Sequence, residues 1–154
     1  MRPKKDTLIG SILTHEENTY RYRFTVPEEA LDDNDHVNNV VYIEWVQDAA
    51  MRHSEASGGA EQTRAAGAVW VVVEHRVRYI RPAFLGDEIE LRTWVDNVRR
   101  ALSLRRTEIV RIDGGGGEQK VAEGWTEWAF VDTETGKPKR IPPAVIESFM
   151  PQQA

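Results

Sequence analysis

Cysteine is absent from this chain of 154 residues, which excludes a disulfide framework, a cysteine nucleophile and a cysteine-ligated zinc site. The four histidines, His15, His36, His53 and His75, do not follow a metal-binding spacing such as HExxH. No apolar run reaches the roughly 18 residues expected of a membrane-spanning helix. These absences predict a protein with no metal site and no membrane span.

Positive charge is also in the minority, because the formal net charge is −5 at pH 7. This balance argues against a general nucleic-acid-binding protein. Residues 1–18 begin with the basic residues Arg2, Lys4 and Lys5 but contain neither a long apolar core nor a clear cleavage site, so we expect a loosely ordered leader on a cytoplasmic chain. Residues 19–150 contain no linker or repeat and are expected to form a single domain with enough core to fold alone.

Periodicity predicts a strand and a long helix in the first half of the chain. Residues 19–26 alternate between apolar and polar side chains, which is typical of a half-buried strand. From residue 40 to about residue 53, apolar side chains recur at helical spacing. The apolar arc is wide, so we expect the helix to be largely enclosed, with Asn38 or Asn39 as its N-cap.

The second half of the chain predicts four strands followed by a short helix. The strands cover residues 68–81, a segment opened by Gly86, residues 101–112 and residues 121–131, and the helix runs from Pro142 and Pro143 to about Phe149. Short turns allow the four strands to pair as antiparallel neighbours. One long helix against one antiparallel sheet is an α+β arrangement.

The chemistry is predicted within residues 32–45, DDNDHVNNVVYIEW. Carboxylates, His36, Asn38 and Asn39 precede the apolar helix in this segment. The start of a helix presents unpaired N–H groups and a partial positive charge, which can polarise a carbonyl oxygen. A carboxylate beside such a start supplies the minimum set of groups for hydrolysis by acyl transfer.

This segment resembles the hotdog-fold acyl-CoA thioesterases of the 4-hydroxybenzoyl-CoA thioesterase group. The resemblance rests on Asp32, His36, Val37, Asn38, Asn39, Tyr42 and Trp45, then on Tyr79, Ile80, Arg81, Pro82, Gly86 and Asp87, and finally on Arg140, Ile141 and Pro142. It implies a hotdog fold, in which a curved antiparallel sheet wraps around one long central helix. It also implies a homodimer or a dimer of dimers, which agrees with the need to cover an exposed sheet edge.

The resemblance assigns roles to the residues around the helix start. Asp32 lies at the catalytic position, four residues before the histidine, and acts as general base or as nucleophile. The backbone N–H of Asn39 points at the thioester carbonyl, and Val40 is a candidate second donor. His36 and Asn38 are candidates to orient water, a carboxylate or the acyl group, and both have a purely structural alternative.

Two neighbouring acids are less favoured for the chemistry. Asp33 and Asp35 are interpreted as loop acids stabilised by the helix start. Asp35 stands where many relatives carry glycine. Because aspartate tolerates the left-handed backbone region better than most residues, the turn can still form there.

Arginine is concentrated around a predicted strand turn, at Arg99, Arg100, Arg105 and Arg106. Arginines suit the 3′-phosphate and the diphosphate of coenzyme A as bidentate donors. The resemblance favours Arg99 and Arg100 for this contact, and the alternative is a solvated, charged turn.

The sequence therefore predicts an acyl-CoA thioesterase that releases a free acid and CoA. It needs no metal and no cofactor, since CoA is part of the substrate. An acyl-carrier-protein thioesterase and a non-catalytic acyl-CoA-binding module of the same fold are the alternatives. A hydratase of this fold is less favoured, because no histidine occupies the position that its active site would need.

Overall fold

The structure, a computed structural model, describes residues 15–151, so most of the predicted leader lies outside the described residues. The elements are β1 (Tyr20–Thr25), a short 3-10 turn (Glu28–Ala30), α1 (Asn39–Ser57), α2 (Gly59–Ala65), β2 (Ala68–Tyr79), β3 (Glu88–Arg99), β4 (Leu102–Ile112), β5 (Glu118–Asp132) and α3 (Pro143–Phe149). Of these elements, the periodicity missed the short 3-10 turn and α2, which begins directly after the glycine that ends α1.

The five strands form one antiparallel sheet in the order β1-β3-β4-β5-β2. The expectation that the last four strands pair as sequence neighbours is wrong for β2, which pairs with β5 at the far edge. The reason lies in residues 80–87, which form no hairpin. This segment crosses the end of the sheet and pairs with the loop before α1 through a bridge between His36 and Phe84, so that the chain enters β3 beside β1.

Helix α1 lies on one face of this sheet. Its buried side chains are Tyr42, Val46, Ala49, Ala50 and His53. Gly124 of β5 permits a close approach, because a Cβ at that position would lie 3.4 Å from Cγ2 of Val46. The expectation that the helix is largely enclosed is wrong for its other side, where Val40 and Met51 are 61% and 65% exposed. One sheet covers only one side of a helix.

Both ends of α1 are capped as their residue types predict. The Asn38 side chain accepts a hydrogen bond from the Val40 N–H at 3.0 Å, which makes Asn38 the N-cap. Gly58 ends the helix in the left-handed conformation, with φ of 89°. The cap fixes the loop at residues 31–38 against the first turn of the helix.

Strand β2 is an edge of the sheet and exposes apolar side chains. Val69, Val71 and Val73 are each about half exposed. Edge strands normally carry charge or are covered, because an apolar edge pairs readily with other strands. Within residues 15–151, no helix is long and apolar enough to cross a membrane.

Candidate active site

The loop before α1 is a tight turn organised by Asp32. The Asp32 N–H donates to the His36 carbonyl oxygen at 2.7 Å. The Asp32 Oδ1 accepts from the N–H groups of Asn34 at 2.9 Å and of His36 at 3.1 Å. Asp35 has φ of 63°, so aspartate adopts the left-handed conformation at the position where many relatives carry glycine. One carboxylate oxygen of Asp32 therefore holds the turn, and Oδ2 is left for other contacts.

Several of the predicted residues meet in a cleft of about 270 Å³ at the start of α1. It is lined by Asp32, His36, Val37, Asn39, Tyr42, Tyr79, Ile80, Arg81 and Pro82. The N–H of Asn39 belongs to the first turn of the helix, where amides have no intrahelical partner, and no carbonyl or side chain of residues 15–151 accepts from it. The cleft thus combines a carboxylate with an unpaired amide at the positive end of a helix.

The remaining predicted residues of the loop have structural contacts. The Val40 N–H is engaged by the Asn38 cap, which leaves the Asn39 amide better placed than Val40 to donate to a ligand. The Asn38 side chain is exposed but occupied by the same hydrogen bond. The His36 ring packs edge-on against Phe84, with 5.1 Å between ring centroids, and also lines the cleft.

Tyr79, at the end of β2, lines the cleft, although the sequence analysis assigned no role to it. Its hydroxyl donates to the Asn39 carbonyl oxygen at 2.9 Å, and its ring packs edge-on against Tyr42 at 5.3 Å. These contacts fasten the first turn of α1 to β2. Burial raises the pKa of Tyr42, so its hydroxyl stays protonated. The signal that could have identified Tyr79 is its place in the second segment of the family resemblance.

Arg99 and Arg100 lie far from this cleft within one chain. Arg99 forms an ion pair with Glu127, and Arg100 occupies the turn between β3 and β4 with φ of 57°. In the sheet register, Arg99 of β3 is level with Val71 of β2. Tyr79, which lines the cleft, lies eight residues further along β2. At strand geometry this is a separation of about 26 Å. One chain does not bring the arginine pair to the Asp32 cleft.

The other two arginines of the predicted cluster lie on opposite faces of β4. Arg106 packs on the Trp125 ring at 4.5 Å and lies 3.8 Å from a Glu123 carboxylate oxygen. Arg105 is only 4% exposed. Its Nη1 contacts the Thr93 hydroxyl and the His53 Nδ1, each at 3.0 Å. The expectation of one solvated basic cluster is therefore wrong for Arg105, because the strand alternation directs it under the helices.

Arg105 borders a second, larger space, which we call the Arg105 cavity, of about 390 Å³. Its lining residues are Gln47, Ala50, Met51, Ser54, Trp70, Val72, Val95, Ser103, Arg105, Trp128 and Phe149. Most of this surface is aliphatic or aromatic, and Arg105 is the one charged residue in the lining. Size and composition match those of small-ligand pockets.

His53 and Arg105 have pKa values set by burial. Burial, with the Arg105 charge as a second cause, lowers the pKa of His53 to about 3, so His53 is neutral at pH 7 and accepts from Arg105 through Nδ1. Burial lowers the pKa of Arg105 to about 10, which keeps the guanidinium protonated at pH 7. The cavity wall therefore carries a single positive charge.

The sequence profile of the thioesterase-like superfamily matches residues 25–149. The chain belongs to this superfamily. This membership confirms the resemblance drawn from the Asp32 segment and makes the protein a thioester hydrolase by family. A comparison with curated proteins gives no match.

Solved structures of hotdog thioesterases share the fold of this thioester hydrolase. YbaW of Escherichia coli is 24% identical with a TM-score of 0.74, over 83% of this chain and 94% of YbaW. A 4-hydroxybenzoyl-CoA thioesterase variant complexed with 4-hydroxybenzoyl-CoA is 17% identical with a TM-score of 0.76, over 86% and 99%. A DHNA-CoA thioesterase from Staphylococcus aureus is 20% identical with a TM-score of 0.72, over 85% and 88%. The predicted α+β hotdog fold is thereby confirmed.

The low pKa of His53 predicts a loss of stability in mild acid. The unfolded chain protonates this histidine near pH 6.5, whereas the native chain does so only near pH 3. Between these values the unfolded state binds more protons, so the His53 contribution is complete above pH 6.5 and is lost as the pH falls. The contribution reaches up to about 1.4 kcal/mol per pH unit.

Urea unfolding of the wild type and of His53→Gln at pH 6 and pH 5 measures this contribution. We expect the free energy of unfolding to fall less steeply with acid in the variant. Carboxylates titrate mainly below this range, so they contribute little to the difference. Equal slopes for the two proteins would mean that native His53 protonates at its ordinary pKa.

Proposed function

We propose that this protein hydrolyses an acyl-CoA thioester to a free acid and CoA, with Asp32 as the reacting carboxylate. The observation that carries the proposal is the shared cleft at the start of α1, where Asp32 and the unpaired Asn39 N–H lie together. Family membership supplies the reaction class, and the cleft supplies the groups that this reaction needs.

The two carboxylate oxygens of Asp32 have different roles in the proposed reaction. Oδ1 is held by the N–H groups of Asn34 and His36, so Oδ2 is directed by a fixed turn. As general base, Oδ2 takes a proton from water while the water oxygen bonds to the thioester carbon. As nucleophile, it forms a mixed anhydride that water then opens. In both routes the C–S bond breaks and the thiolate leaves as CoA.

The Asn39 amide stabilises the negative charge that develops on the carbonyl oxygen. The amide lies at the positive end of a 19-residue helix, where the aligned peptide dipoles add to its effect. One such donor contributes about 2.7–4 kcal/mol to the transition state. Tyr79 is a positioning residue in this scheme, because its hydrogen bond to the Asn39 carbonyl oxygen holds the first turn in place.

Replacement of the Asp32 carboxylate tests the assignment. In Asp32→Asn the side-chain oxygen still accepts from Asn34 and His36, so the turn is preserved while the base or nucleophile is lost. We expect kcat to fall on the order of 100-fold or more, with binding of a CoA ligand retained. Release of free thiol from an acyl-CoA panel measures kcat, and calorimetry measures binding.

Asp33→Asn is the matched control, since Asp33 is an exposed acid of the same loop. It should keep near-wild-type turnover. If Asp32→Asn also turned over at the wild-type rate, the assignment of Asp32 would be wrong and Asp35 would become the candidate for the reacting carboxylate.

The quaternary part of the proposal is a homodimer, alone or paired into a dimer of dimers, in which β2 pairs antiparallel with β2 of its partner. The exposed apolar edge at Val69, Val71 and Val73 supports this pairing. An antiparallel arrangement sets the Tyr79 end of one β2 beside the Val71 end of the other. The pairing thereby removes the offset of about 26 Å along β2 that separates the arginine end of the sheet from the Asp32 cleft within one chain.

Arg99 and Arg100 are proposed to bind the phosphates of CoA. Because phosphate contacts lie far from the scissile bond, Arg99→Ala/Arg100→Ala should raise KM and leave kcat nearly unchanged. The effect should disappear with a truncated pantetheine thioester, which lacks the nucleotide. Steady-state kinetics with the two substrates make the comparison, and equal effects on both would identify the pair as a solvated turn.

The dimer proposal predicts that activity and association are lost together. Val71→Lys places a charged side chain in the apolar edge that the proposed β2 pairing would cover, where it disfavours the pairing of two strand edges. Val71 is 47% exposed in the single chain, so the substitution should leave the subunit fold intact. Light scattering should give two or four times the 17.6 kDa chain mass for the wild type and a smaller mass with reduced activity for the variant. A fully active wild-type monomer would contradict both the dimer and the shared site.

A further inference from the structure

Arg105 is a buried cation for which the described residues provide no counter-charge. It makes no ion pair with any carboxylate of residues 15–151, and its Nη1 contacts only the neutral groups of Thr93 and His53. A guanidinium carries five N–H donors, and its other nitrogens make no hydrogen bond to a described residue. Burial of an unpaired charge is costly, so this arrangement points to an anion from outside the described residues, which a bound ligand can supply.

The residues that line the cavity indicate what kind of molecule carries that anion. Besides Arg105, the wall is formed mainly by Trp70, Val72, Trp128 and Phe149 and by Ala50 and Met51 of α1, with the uncharged polar side chains of Gln47, Ser54 and Ser103. Such a wall fits a hydrocarbon chain. It does not fit the CoA nucleotide, whose several phosphate charges would meet one cation and an apolar surface.

We propose that the Arg105 cavity binds the far end of an acyl chain that terminates in a carboxylate, so that the preferred substrates are ω-carboxyacyl thioesters. This inference rests on the proposed function, which supplies the thioester end of the same molecule. The guanidinium pairs with the terminal carboxylate, and the aromatic and aliphatic wall covers the methylene chain. Hydrolysis of such a substrate releases a dicarboxylic acid.

The position of the cavity agrees with an acyl chain that begins at the Asp32 cleft. Both spaces lie along the seam between α1 and β2: the cleft at Asn39 and Tyr79, the cavity at Ala50 and Val72. Eleven residues of helix separate Asn39 from Ala50, which is about 16 Å along the axis. In the antiparallel β2 pairing, the cavity of one subunit also faces the partner's cleft, so a chain of moderate length can join the two.

The geometry of the contact explains why a carboxylate is preferred to a methyl group or a hydroxyl. Arginine offers parallel N–H donors that match the two oxygens of a carboxylate. His53 and Thr93 accept hydrogen bonds from Nη1, so the orientation of the guanidinium is fixed before a ligand binds. A chain that ends in a methyl group would leave the charge unpaired and would gain only the apolar contacts.

The test compares CoA thioesters of octanedioate, dodecanedioate and hexadecanedioate with the methyl-terminated acyl-CoA of the same length. Calorimetry with Asp32→Asn measures binding without hydrolysis, and thiol release by the wild type measures kcat/KM. We expect the ω-carboxyl substrate to bind more tightly by about tenfold or more for at least one chain length. An absence of preference at all three lengths would overturn the inference.

Two arginine variants assign the preference to this cavity. Arg105→Met removes the charge and keeps an unbranched apolar side chain, and it should lower the ratio of the two kcat/KM values about tenfold or more. Arg106→Met is the matched control, because Arg106 is adjacent on β4 but lies on the other face of the sheet; it should leave the ratio unchanged. If both variants kept the wild-type ratio, the carboxylate would be bound elsewhere.

The design separates this inference from the proposed function and from misfolding. Thermal unfolding checks that Arg105→Met is folded. If it is not, Arg105→Lys keeps the charge without the planar donor pair and should reduce the preference partly. Hydrolysis without ω-carboxyl preference would refute the inference and leave the thioesterase function intact. Selective binding of ω-carboxyl thioesters without hydrolysis would support the inference and refute the proposed thioesterase function.

Discussion

The packing of α1 on one face of the sheet is the contact on which the rest of the molecule depends. It is close because β5 carries Gly124 beneath Val46, and burial of Tyr42, Val46 and Ala49 makes it part of the main apolar core. The same contact positions two functional regions. At its start the helix presents an unpaired amide beside the Asp32 turn, and further along it leaves the Arg105 cavity between its own surface and the sheet. A lateral shift of the helix would therefore alter both regions together.

The sequence predicted the elements and the cleft more successfully than their long-range arrangement. Alternation and helical spacing are local properties, and the Asp32 segment is contiguous, so both can be identified in one sequence. The pairing of β2 with β5 depends instead on how residues 80–87 cross the end of the sheet, which no local pattern encodes. The role of Tyr79 was missed for a related reason, because its hydrogen bond joins residues forty positions apart.

Strand β4 shows a different kind of failure, in which the local pattern indicates the wrong face. Its leucines, Leu102 and Leu104, are half-buried, whereas Ser103, Arg105 and Thr107 on the alternate face are buried. Hydrophobicity alone would direct the leucines to the core. Natural sequences break such rules mainly where function requires it. A polar strand face beneath two helices is thus consistent with a binding surface, and the neutral His53 stabilises it by accepting from Arg105 without adding a second charge.

The Asp32 cleft, the arginine pair and the Arg105 cavity lie at different positions along the direction of β2. Tyr79 marks the end of the strand that carries the Asp32 cleft, and Val71 and Val72 mark the end beside the arginine pair and the cavity. In one chain these ends are separated by most of the strand length. In the proposed homodimer, a two-fold axis through the middle of the β2 pair would exchange the ends, so that each Asp32 cleft would lie beside the Val71 end of the partner's β2. The exposed valines of the edge and the separation of the site groups then have the same explanation, because the pairing that buries the edge also completes two equivalent sites.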